Sequence, residues 1–290
     1  MVLMAQILDG KIVQGAVKTR LEEEIKPLAP KPKLVILQIG DLPSSNTYIK
    51  KKKLFGESVG TIVWHKQYRE DVEEEELLRD IEGFNNDPNV HGIILQIPIP
   101  EHFNKHALLE AIKPEKDVDG LGSVNFKLLS ENDPKGFMPA TTKGILSLLD
   151  HYKIEVKGKK VTVVGRSALV GKPTALALLN RDATVTVCHS QTADLREETK
   201  KADILVVAAG KPKFITADFV KSGEIIIDVG INVGVTKLQE ETGDSKIVGD
   251  VDFETVKDIV AGISPVPGGV GPMTVASLFE NLLKAYKNQK

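Results

Sequence analysis

Residues 160–173, which read KVTVVGRSALVGKP, constrain the fold of this chain more than any other segment. The valine-rich run at 161–164 is typical of a parallel strand that is buried on both faces. Gly165 permits a tight turn after that strand, and Pro173 suits the first turn of a helix. Because the free N–H groups at the start of such a helix point at an anion, the segment predicts a phosphate-binding corner. The dinucleotide motif G-x-G-x-x-G has three glycines, whereas this loop has only Gly165 and Gly171, so an ordinary strand-to-helix turn stays open.

A second feature favours a dinucleotide and indicates which one. The next strand-like run, 183–188, is followed by His189-Ser190, about where dinucleotide-binding folds place the residue that contacts the ribose, and an acidic residue there selects NAD. This chain has a serine instead. The Ser190 hydroxyl, together with Arg166 in the glycine loop, could accommodate a 2′-phosphate, which favours NADP. The alternatives are a capping hydroxyl for Ser190 and a solvated loop charge for Arg166.

Strand-like runs alternate with helix-like stretches along most of the chain. The runs are 34–39, 61–65, 92–97, 161–165, 183–188, 204–208 and 225–229. Such alternation predicts an α/β fold with parallel sheets. With 290 residues and 41% hydrophobic content, the chain is long enough for two domains that each bury a core.

We place the domain junction near Pro139. Residues 1–138 then form one domain, and residues 139–272 form a second that contains the phosphate-binding corner. The last predicted helix has apolar residues at i, i+3, i+4 and i+7 spacing between 275 and 286, so one face needs a partner surface. We expect residues 273–290 to pack back on the first domain.

Composition and motifs limit the partners and the chemistry. The net charge of −2, without a long block of one sign, argues against a nucleic-acid partner. No apolar run approaches the ~20 residues of a membrane span, and the first residues lack the features of a secretory signal. We therefore expect a soluble, cytoplasmic protein. Cys188 is the only cysteine, and the six histidines show no metal-binding spacing, so we assign no metal.

The first domain offers one basic group with a plausible catalytic position. Residues 41–45 supply turn and N-cap residues, and a helix is predicted after them toward Gly60, which places Tyr48 and Lys52 at i and i+4 on one face. There the phenol can touch the ammonium group. A lysine held in a desolvated cleft has a lowered pKa and becomes a useful base. The alternative is a solvated face, since Lys52 belongs to a run of four lysines.

Polar groups also follow two other segments of this domain. Gln96 stands at the end of the apolar strand-like run 92–97, and the carboxyl ends of parallel strands face a ligand crevice. A structural amide is the alternative. Further along the chain, Asp117 and Asp119 lie in the polar turn 114–120, and most aspartates in such turns bond their own backbone. A functional carboxylate there would suit a ring that offers two adjacent N–H donors.

The loop at 264–274, SPVPGGVGPMT, combines glycines with prolines. Glycine lets the backbone approach a flat ligand, and proline limits the conformational freedom of the loop. Gly268, Gly269 and Pro272 are therefore candidate ligand contacts. A generic glycine–proline turn stays open as the alternative.

Together these segments resemble the bifunctional methylenetetrahydrofolate dehydrogenase/cyclohydrolase family over almost the whole chain. The motifs that carry the resemblance are YIKKK (48–52), LQIPIP (95–100), KDVDG (116–120), VGRSALVGKP (164–173), CHSQT (188–192) and PVPGGVGPMT (265–274). They occur in the family's order and approximate spacing. One departure is ATT at 140–142, where relatives often have Cys-Thr-Pro or Pro-x-Thr-Pro, and it bears on the domain hinge rather than on the chemistry.

The resemblance implies roles for individual residues. Lys52 would be the catalytic lysine, and Gln96 would position it. Tyr48 would stack on or orient the folate, while Asp119 would hold the pterin ring. The residues implied for NADP binding are Gly165, Arg166, Ser167, Gly171, Ser190 and Ile231, and those implied for folate binding include Gly268, Gly269 and Pro272.

The resemblance also implies a fold and a function. The fold would be two α/β domains around a cleft, the second Rossmann-like, and homodimers are common in the family. The reactions would be NADP-dependent oxidation of 5,10-methylenetetrahydrofolate and hydrolysis of the product to 10-formyltetrahydrofolate, in one-carbon metabolism and purine biosynthesis. The alternatives are a shikimate-type NADP dehydrogenase and a non-catalytic NADPH-binding sensor, since fold alone does not fix function.

Overall fold

The computed structural model describes residues 5–234 and 246–290, and the chain forms two compact units. Residues 15–140 and 275–290 belong to the first, which we call the Lys52 unit. The other residues belong to the second, which we call the Gly165 unit. In the described ranges, every helix is too short or too polar to cross a bilayer.

The Lys52 unit is built on a three-stranded parallel sheet in the order β3-β2-β4. Its strands are β2 (Lys33–Ile39), β3 (Ile62–Tyr68) and β4 (Gly92–Leu95). Its helices are α1 (Gly10–Ile25), α2 (Pro43–Ser58), α3 (Glu74–Asn86), α4 (Lys105–Glu110), α5 (Ser123–Ser130) and α10 (Val270–Asn288), of which α1 and α10 begin in the other unit. The predicted strands at 34–39, 61–65 and 92–97 are confirmed apart from their ends.

The core of this unit lies around β2, which is buried from Leu34 to Ile39 as a central parallel strand requires. The C-terminal part of α10 packs on the same unit. The Phe279 ring lies 5.4 Å from the Phe55 ring of α2. The Asn281 side chain donates hydrogen bonds of 2.9 Å to the carbonyls of Val118 and Met138. The last helix therefore fixes both α2 and the segment that carries Asp119.

The Gly165 unit contains a six-stranded parallel sheet in the order β1-β11-β8-β7-β5-β6. Its strands are β1 (Gln6–Ile7), β5 (Lys160–Val164), β6 (Thr184–Cys188), β7 (Ile204–Val207), β8 (Ile225–Asp228) and β11 (Gly262–Ile263). A separate antiparallel pair is formed by β9 (Asn232–Gly234) and β10 (Lys246–Val248). The helices are α6 (Ala140–His151), α7 (Gly171–Leu179), α8 (Leu195–Lys200), α9 (Phe253–Val256) and a 3₁₀ turn (Ala217–Phe219).

The strand order places a ligand crevice at one position of this sheet. Strand β5 lies between β6 and β7. The chain therefore continues from β5 to β6 on one side of β5, and then crosses to β7 on its other side. Open parallel sheets bind ligands outside the carboxyl ends of the strands, at the point where the order reverses. Gly165 follows β5 at that point, so the predicted phosphate-binding corner stands at the switch point of the sheet.

The N-terminal segment does not belong where the sequence placed it. Residues 1–138 were assigned to the first domain, but residues 5–14 group with the Gly165 unit. The reason is β1, in which Gln6 pairs with Gly262 and Ile7 pairs with Ile263. A strand of two residues gives no period that a sequence pattern could reveal.

A buried carboxyl group, that of Glu224, lies directly before the amino end of strand β8. Glu224 is fully buried; its Oε2 accepts a hydrogen bond from the Lys221 backbone N–H, whereas Oε1 has no partner among the described residues. Burial raises the pKa of Glu224 to about 8. The folded protein therefore keeps a proton on Glu224 that the unfolded chain releases above pH 4.5. Stability is lost as the pH rises through this interval.

We expect Glu224→Gln to flatten this pH dependence, because an amide stays neutral in both states. Between pH 4.5 and 8 the free energy of unfolding of the wild type should fall relative to the variant, by up to about 5 kcal/mol at 1.36 kcal/mol per pH unit. Urea unfolding at pH 5 and pH 8 measures the difference. The exposed Glu155, replaced in the same way, is the control and should show no such change. Parallel stability curves for the wild type and Glu224→Gln would contradict the interpretation.

Candidate active site

Lys52 is the buried member of the run of four lysines on α2. Its side chain is 9% exposed, whereas Lys50 and Lys51 are exposed and Lys53 is half-buried. Helix α2 can bury this position because Gly56 brings it close to its neighbours; a Cβ on Gly56 would collide with the Val63 side chain. The solvated-face alternative therefore describes Lys50 and Lys51 but not Lys52.

The Lys52 amine is held by Gln96, as the resemblance implied. Its Nζ donates a hydrogen bond of 2.9 Å to Gln96 Oε1, and Gln96 Nε2 donates to the Ile97 carbonyl at 2.8 Å. The second bond fixes the amide so that its oxygen faces the lysine. The Gln96 backbone N–H in turn donates to the Leu37 carbonyl, which places the residue at the carboxyl ends of β4 and β2. Gln96 thus orients one N–H of the amine and leaves its other positions to a ligand.

Burial and one carboxylate determine the charge state of Lys52. Burial lowers the pKa of Lys52, and the Coulombic attraction of Asp119 opposes this effect. Burial raises the pKa of Asp119, while Lys52 acts in the opposite direction. Each group therefore favours the charge of the other in a poorly solvated place, as expected where an acid–base pair does chemistry.

The two aspartates of the turn after α4 have different surroundings. The Asp117 carboxylate accepts hydrogen bonds from the backbone N–H groups of Gly120, Leu121 and Gly122 and from Asn125 Nδ2. Asp117 therefore holds its own loop. Asp119 is half-buried, and no group among the described residues donates a hydrogen bond to its carboxylate. Of the two, Asp119 has both oxygens available for a ligand.

Tyr48 does not contact its neighbours in the way the spacing predicted. The Lys51 ammonium lies over the Tyr48 ring, 5.5 Å from its centre, while the Lys52 amine turns to Gln96. Residues three apart on a helix are neighbours, as are residues four apart, so either lysine could reach the ring. Burial raises the pKa of the Tyr48 phenol to about 12, so the hydroxyl stays protonated.

Sequence reasoning missed Ser45, which it treated as a turn or cap residue. Helix α2 begins at Pro43, and Ser45 lies inside its first turns on the buried face that also carries Ile49 and Lys52. The Ser45 Oγ is buried without a hydrogen-bond partner among the described residues. Such a group is satisfied by a ligand or an ordered water in most proteins. The spacing of 45, 49 and 52 was the signal that could have revealed it.

The glycine corner of the other unit is tightly packed. Gly165 has a φ of +130°, and a Cβ there would collide with the Ala208 carbonyl at the end of β7. A Cβ on Gly171 would collide with the Gly165 carbonyl. Helix α7 begins at Gly171, and the Ser167 hydroxyl accepts from the N–H groups of Val170 and Gly171 at 3.2 and 3.4 Å. The corner therefore brings a helix N-terminus directly to the end of β5, as phosphate binding requires.

Arg166 and Ser190 are exposed at the carboxyl ends of adjacent strands. Strand β5 pairs with β6, and the Gly165 N–H donates to the Cys188 carbonyl. The capping alternative for Ser190 is not supported, because Asp194 caps α8 and Thr192 closes the turn by accepting from the His189 N–H. Ser190 makes no side-chain hydrogen bond to the described residues. Both predicted contacts with a 2′-phosphate are thus free to bind one.

The remaining predicted residues lie in two further segments of the Gly165 unit. Ile231 follows β8 and is 44% exposed. The Gly268 carbonyl accepts from the Gly10 N–H at 2.8 Å, and the Pro272 carbonyl accepts from the Gln14 side chain at 2.8 Å. The N-terminal segment thus holds the glycine–proline loop in place. In the described ranges, no cluster of three or more His, Cys, Asp or Glu side chains offers a metal site.

The fold and the side chains define a two-domain α/β enzyme with a dinucleotide corner and a separate buried lysine. Comparison with known proteins identifies its family. Residues 8–119 match the catalytic domain of tetrahydrofolate dehydrogenase/cyclohydrolase, and residues 139–290 match the NAD(P)-binding domain. The chain belongs to the tetrahydrofolate dehydrogenase/cyclohydrolase family.

Individual relatives agree over nearly the full length. The bifunctional protein FolD of Nautilia profundicola is 45% identical and covers 97% of each chain. The crystal structure of the bifunctional FolD of Campylobacter jejuni is 41% identical, with a TM-score of 0.93 over 99% of this chain and 100% of that one. FolD of Trypanosoma brucei, solved with NADP and an inhibitor, is 34% identical, with a TM-score of 0.93 over 98% of each chain.

Proposed function

We propose that this protein oxidises 5,10-methylenetetrahydrofolate to 5,10-methenyltetrahydrofolate with NADP and hydrolyses the product to 10-formyltetrahydrofolate. The observation that carries this proposal is the buried Lys52 amine, held by Gln96 and electrostatically coupled to an unpaired Asp119 carboxylate. The bifunctional relatives and their coverage support the same activities. The Lys52 unit serves as the folate-binding catalytic domain, and residues 139–272 serve as the NADP-binding domain.

The residues of the Gly165 unit fit an NADP molecule. The glycine corner admits no Cβ at Gly165. The positive end of the α7 dipole suits the diphosphate, although the Ser167 hydroxyl already accepts from the N–H groups of Val170 and Gly171. Arg166 and Ser190 are exposed and suit the 2′-phosphate, while Ser167 shapes the corner and Ile231 offers an apolar contact. NADP, when bound, accepts the hydride that the substrate gives up. The protein's contribution to that reaction is orientation, since two nitrogens flank the reacting carbon and no added acid or base is needed.

The hydrolytic reaction needs a base, and Lys52 supplies it. Water adds to the methenyl carbon, and a proton must leave as the ring opens. Because burial lowers the pKa of Lys52, its amine can accept that proton, while Gln96 Oε1 holds one of its N–H groups. Asp119 accepts two adjacent N–H donors of the pterin, and the Tyr48 ring orients the folate. Gly268, Gly269 and Pro272 contribute backbone contacts to the folate.

One spectrophotometric assay tests this function against its rivals. Methylenetetrahydrofolate and NADP⁺ should yield NADPH, and methenyltetrahydrofolate should disappear when it is supplied alone. A non-catalytic sensor would bind NADPH without turnover, and a shikimate-type dehydrogenase would reduce NADP⁺ with shikimate instead. Either result would overturn the proposal.

We expect Arg166→Ala and Ser190→Asp to weaken NADP binding more than NAD binding. Loss of a charge-assisted hydrogen bond to the 2′-phosphate costs about 1.5–3 kcal/mol, or roughly 10–100-fold in affinity. Binding of NADP and NAD, measured by fluorescence or calorimetry, gives the ratio. Lys157→Ala removes an exposed charge before the amino end of β5 and is the control. If the wild type already preferred NAD, the ribose site would have been misassigned.

We also propose a homodimer in the cytoplasm whose product serves purine biosynthesis. Strand β3 supports the assembly, because it is an edge strand that pairs only with β2 among the described residues. Its Ile62 and Trp64 side chains are 50% and 43% exposed. Exposed apolar edges of this kind pair readily with another chain. The mass in solution, measured by light scattering, tests the assembly.

A further inference from the structure

Two buried carboxylates outside the roles described so far join loops of the Gly165 unit. Asp250 is fully buried, and its Oδ2 accepts from the backbone N–H groups of Ala209 and Gly210 at 2.7 and 2.8 Å. Its Oδ1 accepts from the Lys211 N–H at 2.9 Å and from Asn232 Nδ2 at 2.8 Å. One side chain thus ties the loop after β7 to the loop after β8.

Asp228, the last residue of β8, completes the arrangement. Its Oδ1 accepts from the N–H groups of Gly230 and Asp250 at 2.9 and 3.0 Å, and its Oδ2 accepts from the Val251 N–H at 2.9 Å. We call Asp228 and Asp250 the carboxylate clamp. Burying two carboxylates side by side is costly, and hydrogen bonds from many donors offset the cost only when the surrounding backbone is fixed.

Neighbouring glycines show how closely the loops fit the clamp. A Cβ on Gly230 would collide with the Asp250 carboxylate, and a Cβ on Gly249 would collide with the Asp228 carboxylate. There is no room for the loops to shift toward the clamp. Residues 209–211 and 230–232 are therefore held in one arrangement, with Ile231 exposed on the second loop.

The position of these loops assigns the clamp a role in cofactor binding. Dinucleotides lie across the crevice at the switch point, which here is between β5 and β7. Ser190 follows β6 and Gly165 follows β5, so the 2′-phosphate and the diphosphate occupy that side of the crevice. The nicotinamide half of the cofactor then extends over the ends of β7 and β8, where the clamp fixes both loops.

We propose that Asp250 and Asp228 are positioning residues that set the affinity for the nicotinamide half of NADP. They do so by holding residues 209–211 and 230–232 in the binding conformation before the cofactor arrives. This inference rests on the proposed NADP-dependent function. The role proposed for the clamp differs from that of Arg166 and Ser190, which contact the adenosine half of the cofactor.

Asp250→Asn tests the proposal, because an amide keeps the shape but turns an NH₂ group toward backbone N–H donors. We expect its Kd for NADP to rise about 10–100-fold. The Kd for 2′,5′-ADP, which carries the 2′-phosphate but no nicotinamide, should change less than about threefold, and hydrolysis of methenyltetrahydrofolate should persist. Asp258→Asn makes the same change at an exposed position of the unit and is the control. Arg166→Ala should raise the Kd for both NADP and 2′,5′-ADP.

An unchanged Kd for NADP, or equal weakening of NADP and 2′,5′-ADP, would overturn the inference. Failure of the wild type to bind NADP would instead overturn the proposed function. If Asp250→Asn does not fold by circular dichroism, Asn232→Ala decides with the same two ligands. That variant removes one donor to Asp250. We expect its Kd for NADP to rise about 3–10-fold, whereas its Kd for 2′,5′-ADP should not rise.

Discussion

Replacement of Lys52 by methionine is expected to reduce cyclohydrolase activity by about 10²–10⁴-fold, the usual contribution of a general base. Methionine fills a similar volume and removes a buried amine, so the fold should persist. The substitution leaves the Gln96 oxygen without its hydrogen-bond donor, which lowers the free energy of unfolding by about 1–3 kcal/mol. Stopped-flow measurement of methenyltetrahydrofolate hydrolysis, with folate binding measured in parallel, separates lost chemistry from lost binding.

The exposed neighbour provides a control, since Lys50→Met makes the same change on the solvated face of α2. That variant should hydrolyse at the wild-type rate. The wild-type rate itself should rise with pH through a pKa below the ordinary value for lysine, because only the neutral amine accepts the proton and burial lowers the pKa of Lys52. Hydrolysis by Lys52→Met at the wild-type rate would remove Lys52 from the mechanism.

The sequence predicted the sheets well because their signal is local. Valine- and isoleucine-rich runs at 161–165, 204–208 and 225–229 became β5, β7 and β8 within one residue at each end. Parallel strands buried on both faces produce such runs whatever surrounds them. The two-residue strand β1 has no comparable pattern, so the grouping of residues 5–14 with the Gly165 unit could not be predicted.

The chemistry of the site depended on contacts that spacing does not encode. Helical spacing puts Lys52 on one face with Ser45 and Ile49 but does not say that this face is buried, and only the packing of Gly56 and the distant Gln96 show that the Lys52 amine is held. Asp117 and Asp119 looked equivalent. The structure separates them by the donors that each one faces, and those donors lie in the loop and in α5.

The carboxylate clamp illustrates a further limit of sequence reasoning. Asp228 ends an apolar strand and Asp250 lies in a polar turn, so each is ordinary by itself. Their significance appears only when the fold brings the N–H groups of three loops around them. The same holds for Glu224, whose burial at the amino end of β8 no local pattern reveals.

Replacement of Asp119 by alanine is expected to lower kcat/KM for both reactions by about 10²-fold or more. Two charge-assisted hydrogen bonds to one flat ring are worth about 1.5–3 kcal/mol each, and the loss precedes either chemical step. The folded protein should not lose stability, because no described donor depends on this carboxylate. Steady-state kinetics with each folate substrate, together with thermal unfolding, test both parts.

Asp117→Ala provides the contrast, since its carboxylate accepts three hydrogen bonds from the loop and one from Asn125 of α5. That variant should lose stability first, whereas Asp119→Ala should lose activity alone.

Asp119→Asn adds a sharper measurement. The carboxylate raises the pKa of Lys52, so its neutralisation should shift the rising limb of the cyclohydrolase pH profile to lower pH. Unchanged folate kinetics in both Asp119 variants would move the pterin contact elsewhere. A pH profile that does not shift would show that Lys52 is not the group whose titration the rate reports.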